Sequence, residues 1–211
     1  VTTINNYTFR NCNGLASLFI PNNVTLIGHR AFSGCTGLKQ VKIEDGTTPI
    51  TLGGPQVLSG ALEELYLGRN LLKNALNYYP NLKTVILGDC VTYIASNAFS
   101  NCSSLASVAI PNSVTSIRSK AFYECAALTA VKIPNTVDSI GENAFRACSS
   151  LTAIEIPASV RFIGAAAFSE CNSMREITYN AVNCEVIYDI FSNGVKKVTI
   201  GTGVKSIPDD L

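Results

Sequence analysis

Apolar residues recur at a fixed interval of 23 residues over the most regular part of this chain. Residues 105–110 read LASVAI, residues 128–133 read LTAVKI, and residues 151–156 read LTAIEI. A period of this length is typical of a solenoid, in which each repeat forms one coil and stacks on its neighbours. The pattern therefore predicts a single solenoid over residues 1–211, because a repeat array grows linearly and needs no domain boundary.

Each repeat opens on an apolar triplet that predicts a short strand, because its last two apolar positions alternate with an outward one. There are nine such triplets, and their first residues are Leu15, Leu38, Leu62, Leu82, Leu105, Leu128, Leu151, Met174 and Val195. The 20–24 residues between successive triplets leave no room for a crossover helix of ordinary length. We therefore expect one parallel sheet of about nine strands, spaced about 4.8 Å apart.

The remainder of each repeat predicts how the chain returns to the next strand. An Ile-Pro pair ends four of the strands, since proline has no N–H to continue a ladder. A Val-x-x-Ile pair then re-enters the core, and a polar pair followed by Ala-Phe predicts a short helical turn. The phenylalanines should form one buried aromatic column, composed of Phe9, Phe32, Phe99, Phe122, Phe145 and Phe168.

Two stretches, residues 44–80 and 180–194, interrupt the repeat. The first lacks the Ala-Phe and Cys positions, and its residues 68–80 have a more helical pattern. In the second, Ile190 and Phe191 are plausible substitutes for the lost Ala-Phe. Irregular coils are candidates for a special surface, and drift without function explains them equally well. The chain begins and ends within a repeat, so we expect an excised or processed piece whose apolar ends favour end-to-end self-association.

Composition narrows the classes of partner. The net charge of +1 gives no global attraction to nucleic acid or to an anionic membrane. Hydrophobic residues make up 47% of the chain, yet no apolar run reaches 18 residues, so no membrane insertion is expected. No signal sequence is visible in this chain.

The eight cysteines raise the question of disulfides or metal binding. Six of them occupy one repeat position: Cys12, Cys35, Cys102, Cys125, Cys148 and Cys171. Stacked equivalents lie about 4.8 Å apart, whereas disulfides favour Cβ atoms about 3.8 Å apart. A ladder of reduced, buried thiols is therefore predicted. Cys90 and Cys184 lie off the ladder, and there is no Cys-x-x-Cys or histidine cluster, so we expect neither a zinc site nor a cofactor.

Candidate catalytic groups are few, so an enzyme is not predicted. The single histidine, His29, has Ser119, Glu142 and Ala165 as its equivalents in other coils, which favours a solvent position. Strand alternation is expected to place Glu63 and Glu64 on opposite sides, which would prevent a catalytic dyad. No Gly-x-Ser-x-Gly motif or phosphate-binding loop is present.

The Leu-x-x-Val-x-Ile-Pro, Val-x-x-Ile, Ala-Phe and Cys positions at a 23-residue period resemble the leucine-rich repeats of the BspA type, also called the Treponema pallidum type. Residues 91–174 match the pattern strictly and residues 1–38 match it well, whereas residues 38–87 and the last two coils match only at their strands. The resemblance implies an α/β right-handed solenoid with short helical or irregular return segments. It also implies a secreted or cell-surface bacterial protein that adheres to host matrix or other cell-surface proteins.

The outward side chains of the predicted strands are candidates for protein binding. One column contains Phe19, Lys42, Tyr66 and Ile86 in the first four coils, and a neighbouring column contains Lys39, Glu63 and Lys83. Aromatic and apolar side chains on an exposed patch suggest an interface. Two hypotheses remain open: an adhesion module that binds through this face, and a structural spacer that presents another domain. The alternative to any binding at this face is a solvated sheet, on which large residues merely favour strands.

Overall fold

In this computed structural model, the described residues are 1–54, 56–72, 76–186, 190–191, 194–205 and 207. They form sixteen short strands and contain no helix. The strands are β1 (Thr3–Ile4), β2 (Ser17–Ile20), β3 (Leu26–Ile27), β4 (Gln40–Ile43), β5 (Thr51–Leu52), β6 (Glu64–Leu67), β7 (Thr84–Leu87), β8 (Tyr93–Ile94), β9 (Ser107–Ala109), β10 (Ser116–Ile117), β11 (Ser139–Ile140), β12 (Ala153–Ile156), β13 (Phe162–Ile163), β14 (Glu176–Tyr179), β15 (Glu185–Val186) and β16 (Lys197–Ile200).

The strands form two faces of a parallel β-solenoid. The longer strands make the strand face, with β2-β4-β6-β7-β9 in one sheet and β12-β14-β16 in another. The two-residue strands make a second face from β1-β3-β5 and β15-β13-β11-β10-β8. All of them except β5 and β15 come from Val-x-x-Ile segments. Every paired strand is parallel and joins equivalent repeat positions. Parallel stacking of coils is therefore confirmed, and the second ladder is an addition to the prediction.

The strand face is interrupted where its sixth strand was predicted. Residues 130–133 form no strand, and no backbone hydrogen bond joins Val131, Lys132 or Ile133 to a neighbouring described coil. Val108 and Val131 are only half-buried there, although the equivalent Val85 is completely buried. The prediction of one sheet of about nine strands is thus wrong. Among the described residues eight strands form this face, and the missing ladder divides them into two sheets.

No return segment forms a helix among the described residues, so the predicted helical turns and the α/β class are wrong. The more helical pattern of residues 68–80 falls partly on residues 73–75, which lie outside the described residues. Asn97, Phe99 and Asn101 donate their N–H groups to carbonyls of the next coil at 2.7–3.0 Å, and not to carbonyls four residues earlier. Asn97 and Asn101 have φ values of 54° and 61°, a left-handed conformation that interrupts an α-helix. Hydrogen bonds between coils therefore replace the bonds that a helix would make within each coil.

The aromatic column is confirmed in its regular part. Ring centroids are 5.2–5.6 Å apart along the stack of Phe99, Phe122, Phe145, Phe168 and Phe191. Phe191 therefore takes the position predicted for it. Phe9 and Phe32 form a separate stacked pair, because the irregular coils lack the phenylalanine position.

Both ends of the coil stack expose apolar side chains. Phe9 is 43% exposed, contrary to the prediction that it is buried, because no described residue of this chain lies on the outer side of its coil. Val198 and Ile200 of β16 are exposed at the other end. End-to-end association of these surfaces stays a prediction.

Five ladder cysteines are buried with free thiols: Cys35, Cys102, Cys125, Cys148 and Cys171. Each donates its S–H to a backbone carbonyl 26 residues earlier, at 3.0–3.3 Å. Burial raises the pKa of Cys125 and Cys148 well above the ordinary thiol value, which keeps these donors protonated. Cys12 is exposed, so the ladder prediction is wrong for this outermost member.

Candidate protein-binding surface

Four candidate residues lie side by side on the first four strands of the strand face. Backbone pairing places Phe19 beside Lys42, Lys42 beside Tyr66, and Tyr66 beside Ile86. Phe19 and Ile86 are 54% and 46% exposed, while Tyr66 is half-buried between its neighbours. We call these four residues the strand-face patch. The parallel register explains the patch, because equivalent positions of successive coils must stack.

A groove of about 350 Å³ runs along the solenoid axis next to the patch. The strand-face patch forms one wall, and the first outward residues of the same strands form the other wall: Ser17, Gln40, Glu64 and Thr84. Leu18, Val41 and Leu65 lie at its floor. Gln40 donates a hydrogen bond from Nε2 to Glu64 Oε2 at 3.1 Å, so the polar wall is ordered by contacts between coils.

Tyr66 is held in place from two sides. Its hydroxyl donates to the carboxylate of Asp45, with both oxygens 2.9 Å away. The Lys42 ammonium lies 5.3 Å from the centroid of the Tyr66 ring, within the range of a cation–π contact. Burial, followed by the hydrogen bond and negative charge of Asp45, raises the pKa of Tyr66 to about 12. The phenol is therefore neutral and fixed at physiological pH.

A charged row formed by Lys39, Glu63 and Lys83 borders the patch. Glu63 bridges Lys39 at 2.8 Å and Lys83 at 2.6 Å, which links three successive coils. The hydrogen bonds and charges of the two lysines lower the pKa of Glu63 to about 2. Because all three side chains are partly or largely exposed, the row orders the surface more than it stabilises the fold.

Glu63 and Glu64 both lie outside the core, so the prediction that they point to opposite sides is wrong. The N–H groups of both residues donate to the Lys39 carbonyl, at 2.9 and 3.0 Å. Strand β6 begins only at Glu64, and regular alternation does not extend to Glu63. The two carboxylates have separate partners, since Glu63 contacts lysines and Glu64 contacts Gln40.

The irregular segment 44–46 is fitted closely beneath and beside the patch. A Cβ at Gly68 would overlap the backbone of Asp45, and one at Gly88 would overlap the Asp45 carboxylate and approach the Tyr66 hydroxyl to 2.6 Å. Arg69 is completely buried and donates to the carbonyls of Pro21 and Asn22, two coils away. The glycines at positions 68 and 88 therefore leave room for the segment that holds Tyr66, and the Arg69 side chain packs against the same segment.

The second half of the strand face offers no comparable surface. The residues equivalent to the patch are Ala109, Lys132, Glu155, Thr178 and Thr199. Among the described residues of these coils, none is a large exposed hydrophobic residue on this face, apart from Val198 and Ile200 at the end of the stack. The apolar patch is therefore restricted to the first four coils.

Features that would indicate catalysis or metal binding are weak. His29 is half-buried and its ring packs edge-on against Tyr7 at 5.6 Å, so it is not simply in solvent as predicted. Within the part of the chain that the structure describes, no group of three or more His, Cys, Asp or Glu side chains is arranged to hold a metal ion. No segment of the described residues forms a helix long and apolar enough to cross a bilayer.

Sequence reasoning missed Gln40, Glu64 and Asp45. The first two could have been found, because the repeat Leu-x-x-Val-x-Ile has two adjacent outward positions after its leucine. Gln40 and Glu64 occupy the position directly before the next core residue. Asp45 gives no such signal, since it lies where the sequence departs from the regular Ile-Pro pattern and its position holds a different residue in most other coils.

The parallel coils and the outward-facing strand surface define this protein as a leucine-rich-repeat solenoid, a class of proteins that typically mediate protein–protein interactions. The chain belongs to the BspA type leucine rich repeat family, whose pattern matches six copies over residues 1–53 and 69–199. The family resemblance predicted from the sequence is therefore confirmed.

Several solved structures are similar to this one. A leucine-rich repeat protein from Bacteroides ovatus has a TM-score of 0.66 and 23% identity over 97% of this chain and 60% of its own. A leucine rich cell surface protein from Faecalibacterium prausnitzii has a TM-score of 0.53 and 25% identity over 99% of this chain and 67% of its own. The leucine-rich repeat protein of T. pallidum has a TM-score of 0.50 and 24% identity over 80% of this chain and 83% of its own.

These similarities show the shared fold. The chain spans 60% of the length of the Bacteroides ovatus protein. A comparison with curated proteins finds no match.

Proposed function

We propose that this chain is a protein-recognition module of a secreted or cell-surface bacterial protein, and that it adheres to host matrix or other cell-surface proteins through the strand-face patch. The observation that carries the proposal is the exposure of Phe19 and Ile86 on one face, at the two ends of the ordered Lys42–Tyr66 pair. Family membership and the similarity to a protein described as a cell surface protein support the location.

The patch has the properties of an interaction surface. Ile86 is exposed although coils flank it on both sides, so its exposure does not arise from an open end of the stack. Apolar and aromatic side chains surrounded by charged groups are typical of interface anchors with a polar rim. Because Tyr66 is already fixed by Asp45 and Lys42, binding would cost less side-chain entropy than at a mobile surface.

The test is binding of this chain to immobilised host matrix proteins, with fibronectin and fibrinogen in the panel. The patch variant is Phe19→Ala/Ile86→Ala. The matched control is Lys132→Ala/Glu155→Ala, which changes two residues at the equivalent position of the second half. Thermal unfolding of all three proteins establishes that the variants remain folded.

We expect saturable binding that the patch variant loses and the control retains. Binding that survives in the folded patch variant would move the site elsewhere on the solenoid and contradict the proposal. Absence of binding to the whole panel would favour a spacer that presents another domain.

A further inference from the structure

The two walls of the groove beside the strand-face patch are too close together to admit a helix between them. Any ligand assigned to this groove rests on the function proposed for the patch. Its two walls are formed by residues two positions apart in the same strands, so they are separated by about 6.6 Å. An α-helix with its side chains is about 10–12 Å across. A single extended chain, lying across the strands and along the solenoid axis, fits this width.

The length of the groove sets a register for such a chain. Phe19 and Ile86 are separated by three coil steps, or about 14 Å. Side chains on one side of an extended peptide recur about every 6.6 Å, so the first and fifth residues lie about 13 Å apart. Apolar residues at these two positions would contact Phe19 and Ile86. Lys42 and Tyr66 lie about 5 and 10 Å along the groove from Phe19. The third residue of the peptide, about 6.6 Å from the first, would then lie between them.

The charges in the groove define the third residue. Lys39 and Lys83 are both paired with Glu63, whereas Lys42 has no carboxylate within 4.0 Å among the described residues. The contact with the Tyr66 ring positions the Lys42 ammonium without neutralising it. An acidic side chain at the third position would supply the missing partner.

The opposite wall adds a second preference. Glu64 accepts a hydrogen bond from Gln40 and has no cationic partner among the described residues. Side chains of an extended peptide alternate, so the second and fourth residues face this wall. A basic residue falls opposite Glu64 at the fourth position if the peptide starts at Phe19, and at the second position if it starts at Ile86.

We propose that the groove binds an extended peptide segment of the partner protein, with apolar first and fifth residues, an acidic third residue, and a basic residue at the second or fourth position. The acidic residue pairs with Lys42, the basic residue pairs with Glu64, and the apolar residues contact Phe19 and Ile86. Ser17 and Thr84 provide hydroxyl groups for the peptide main chain.

The probes are two fluorescent peptides, acetyl-Gly-Ser-Leu-Ser-Asp-Lys-Leu-Ser-Gly-amide and acetyl-Gly-Ser-Leu-Lys-Asp-Ser-Leu-Ser-Gly-amide, which represent the two directions. Each is paired with a version that has asparagine in place of aspartate. Fluorescence anisotropy measures binding to the unmodified chain, to Lys42→Met, and to Lys132→Met as the control at the equivalent repeat position.

We expect at least one aspartate peptide to bind, and its asparagine version to bind about two- to fivefold more weakly, as for an exposed ion pair. This difference should disappear in Lys42→Met and persist in Lys132→Met. Equal binding of the aspartate and asparagine versions, or a difference that persists in Lys42→Met, would overturn the inference.

The peptide experiment and the matrix-protein experiment distinguish failure of the peptide specificity from failure of the proposed function. Failure of all peptides, combined with patch-dependent binding of a matrix protein, would overturn the peptide specificity and leave the proposed function intact. Lys42-dependent peptide binding without any matrix-protein binding would support the groove and overturn the proposed class of partner.

Discussion

The hydroxyl of Tyr66 donates a hydrogen bond to Asp45, and this contact joins a regular strand to the irregular segment of the neighbouring coil. The contact also orders the candidate surface, since the Lys42 ammonium lies over the ring of the same tyrosine. The glycine at position 88 leaves space for the pair, because a side chain there would overlap the Asp45 carboxylate. The irregular coil therefore fixes the position of Tyr66 in the patch.

We predict that Asp45→Ala lowers the pKa of Tyr66 from about 12, but not fully to its ordinary value of 10.0. The hydrogen bond and the negative charge would be lost, whereas burial, the largest cause of the shift, would remain. Nuclear magnetic resonance of isotope-labelled tyrosine rings measures this pKa, and Tyr66→Phe identifies the signal. An unchanged value in Asp45→Ala would show that the two groups do not interact in solution.

The raised pKa of Tyr66 also predicts a loss of stability in alkali. Its folded-state pKa lies above the unfolded value, so its contribution is complete below pH 10.0 and is lost as the pH rises to about 12. Tyr66→Phe should lose less stability than the unmodified chain over this interval. Urea unfolding at several pH values provides the measurement, and parallel curves for the two proteins would contradict the prediction.

Glu63 should make stability depend on pH at the acidic end. Its pKa is about 2 in the folded chain and 4.5 in a free side chain, so its contribution is present above pH 4.5 and is lost as the pH falls to about 2. The difference in unfolding free energy between the unmodified chain and Glu63→Gln should therefore shrink over this range. It should also shrink in high salt, because the row is exposed.

The control for this prediction is Glu64→Gln, which removes an adjacent carboxylate that pairs with no lysine among the described residues. Its effect on stability should depend less on salt than that of Glu63→Gln. A Glu63→Gln effect that is the same at pH 2 and at neutral pH would show that the lysine bridge does not form.

Repetition is the reason that the buried columns could be predicted. Stacked coils give each repeat position the same surroundings, so Phe145 and Cys148 could be assigned to the core from their equivalents alone. The pattern could not predict the missing strand at Val131, because that coil carries the regular residues and differs only in its hydrogen bonds to neighbours. The helical prediction failed for a related reason. The sequence of residues 96–99 is compatible with a helical turn and with a non-helical turn, and hydrogen bonds between coils favour the second.

The candidate surface was predictable only in part. The period identifies which residues face outward, and it therefore placed Phe19 and Ile86 in one column. The contacts that order the column depend on Asp45 and Gly88, at positions where the irregular coils depart from the regular sequence. Gly88 stands where the regular coils have the proline that follows the strand. A repeat pattern identifies equivalent positions, but it does not predict the contacts of residues that depart from the pattern.

The cysteine ladder predicts a simple order of chemical reactivity. Cys12 is exposed, Cys90 and Cys184 are half-buried, and the five remaining thiols are buried. Because alkylation requires access and a thiolate, we expect iodoacetamide to modify Cys12 first, Cys90 and Cys184 more slowly, and the buried thiols only after unfolding. Peptide mass spectrometry with and without denaturant measures the order. Modification of Cys125 or Cys148 in the folded chain as fast as Cys12 would contradict the buried ladder.

Arg69 should be the charged residue whose loss most affects the irregular coil. Its guanidinium is completely buried and donates to Asn22 O at 2.7 Å and Pro21 O at 3.0 Å. Arg69→Met removes both hydrogen bonds from a charged donor, so we expect a destabilisation of about 2–4 kcal/mol. Arg161→Met, at an exposed position, should change stability by less than about 0.5 kcal/mol. Denaturant unfolding of both variants makes the comparison.

A second measurement tests whether Arg69 also maintains the patch. Its side chain passes beneath Gly46, next to the residue that binds Tyr66, and Glu44 accepts a hydrogen bond from the Asn22 N–H in the same region. If Arg69 holds this segment in place, Asp45 moves away from Tyr66 in Arg69→Met. The pKa of Tyr66 should then fall toward its value in Asp45→Ala. A destabilised Arg69→Met that keeps the Tyr66 pKa near 12 would assign Arg69 to the fold alone, with the patch ordered independently.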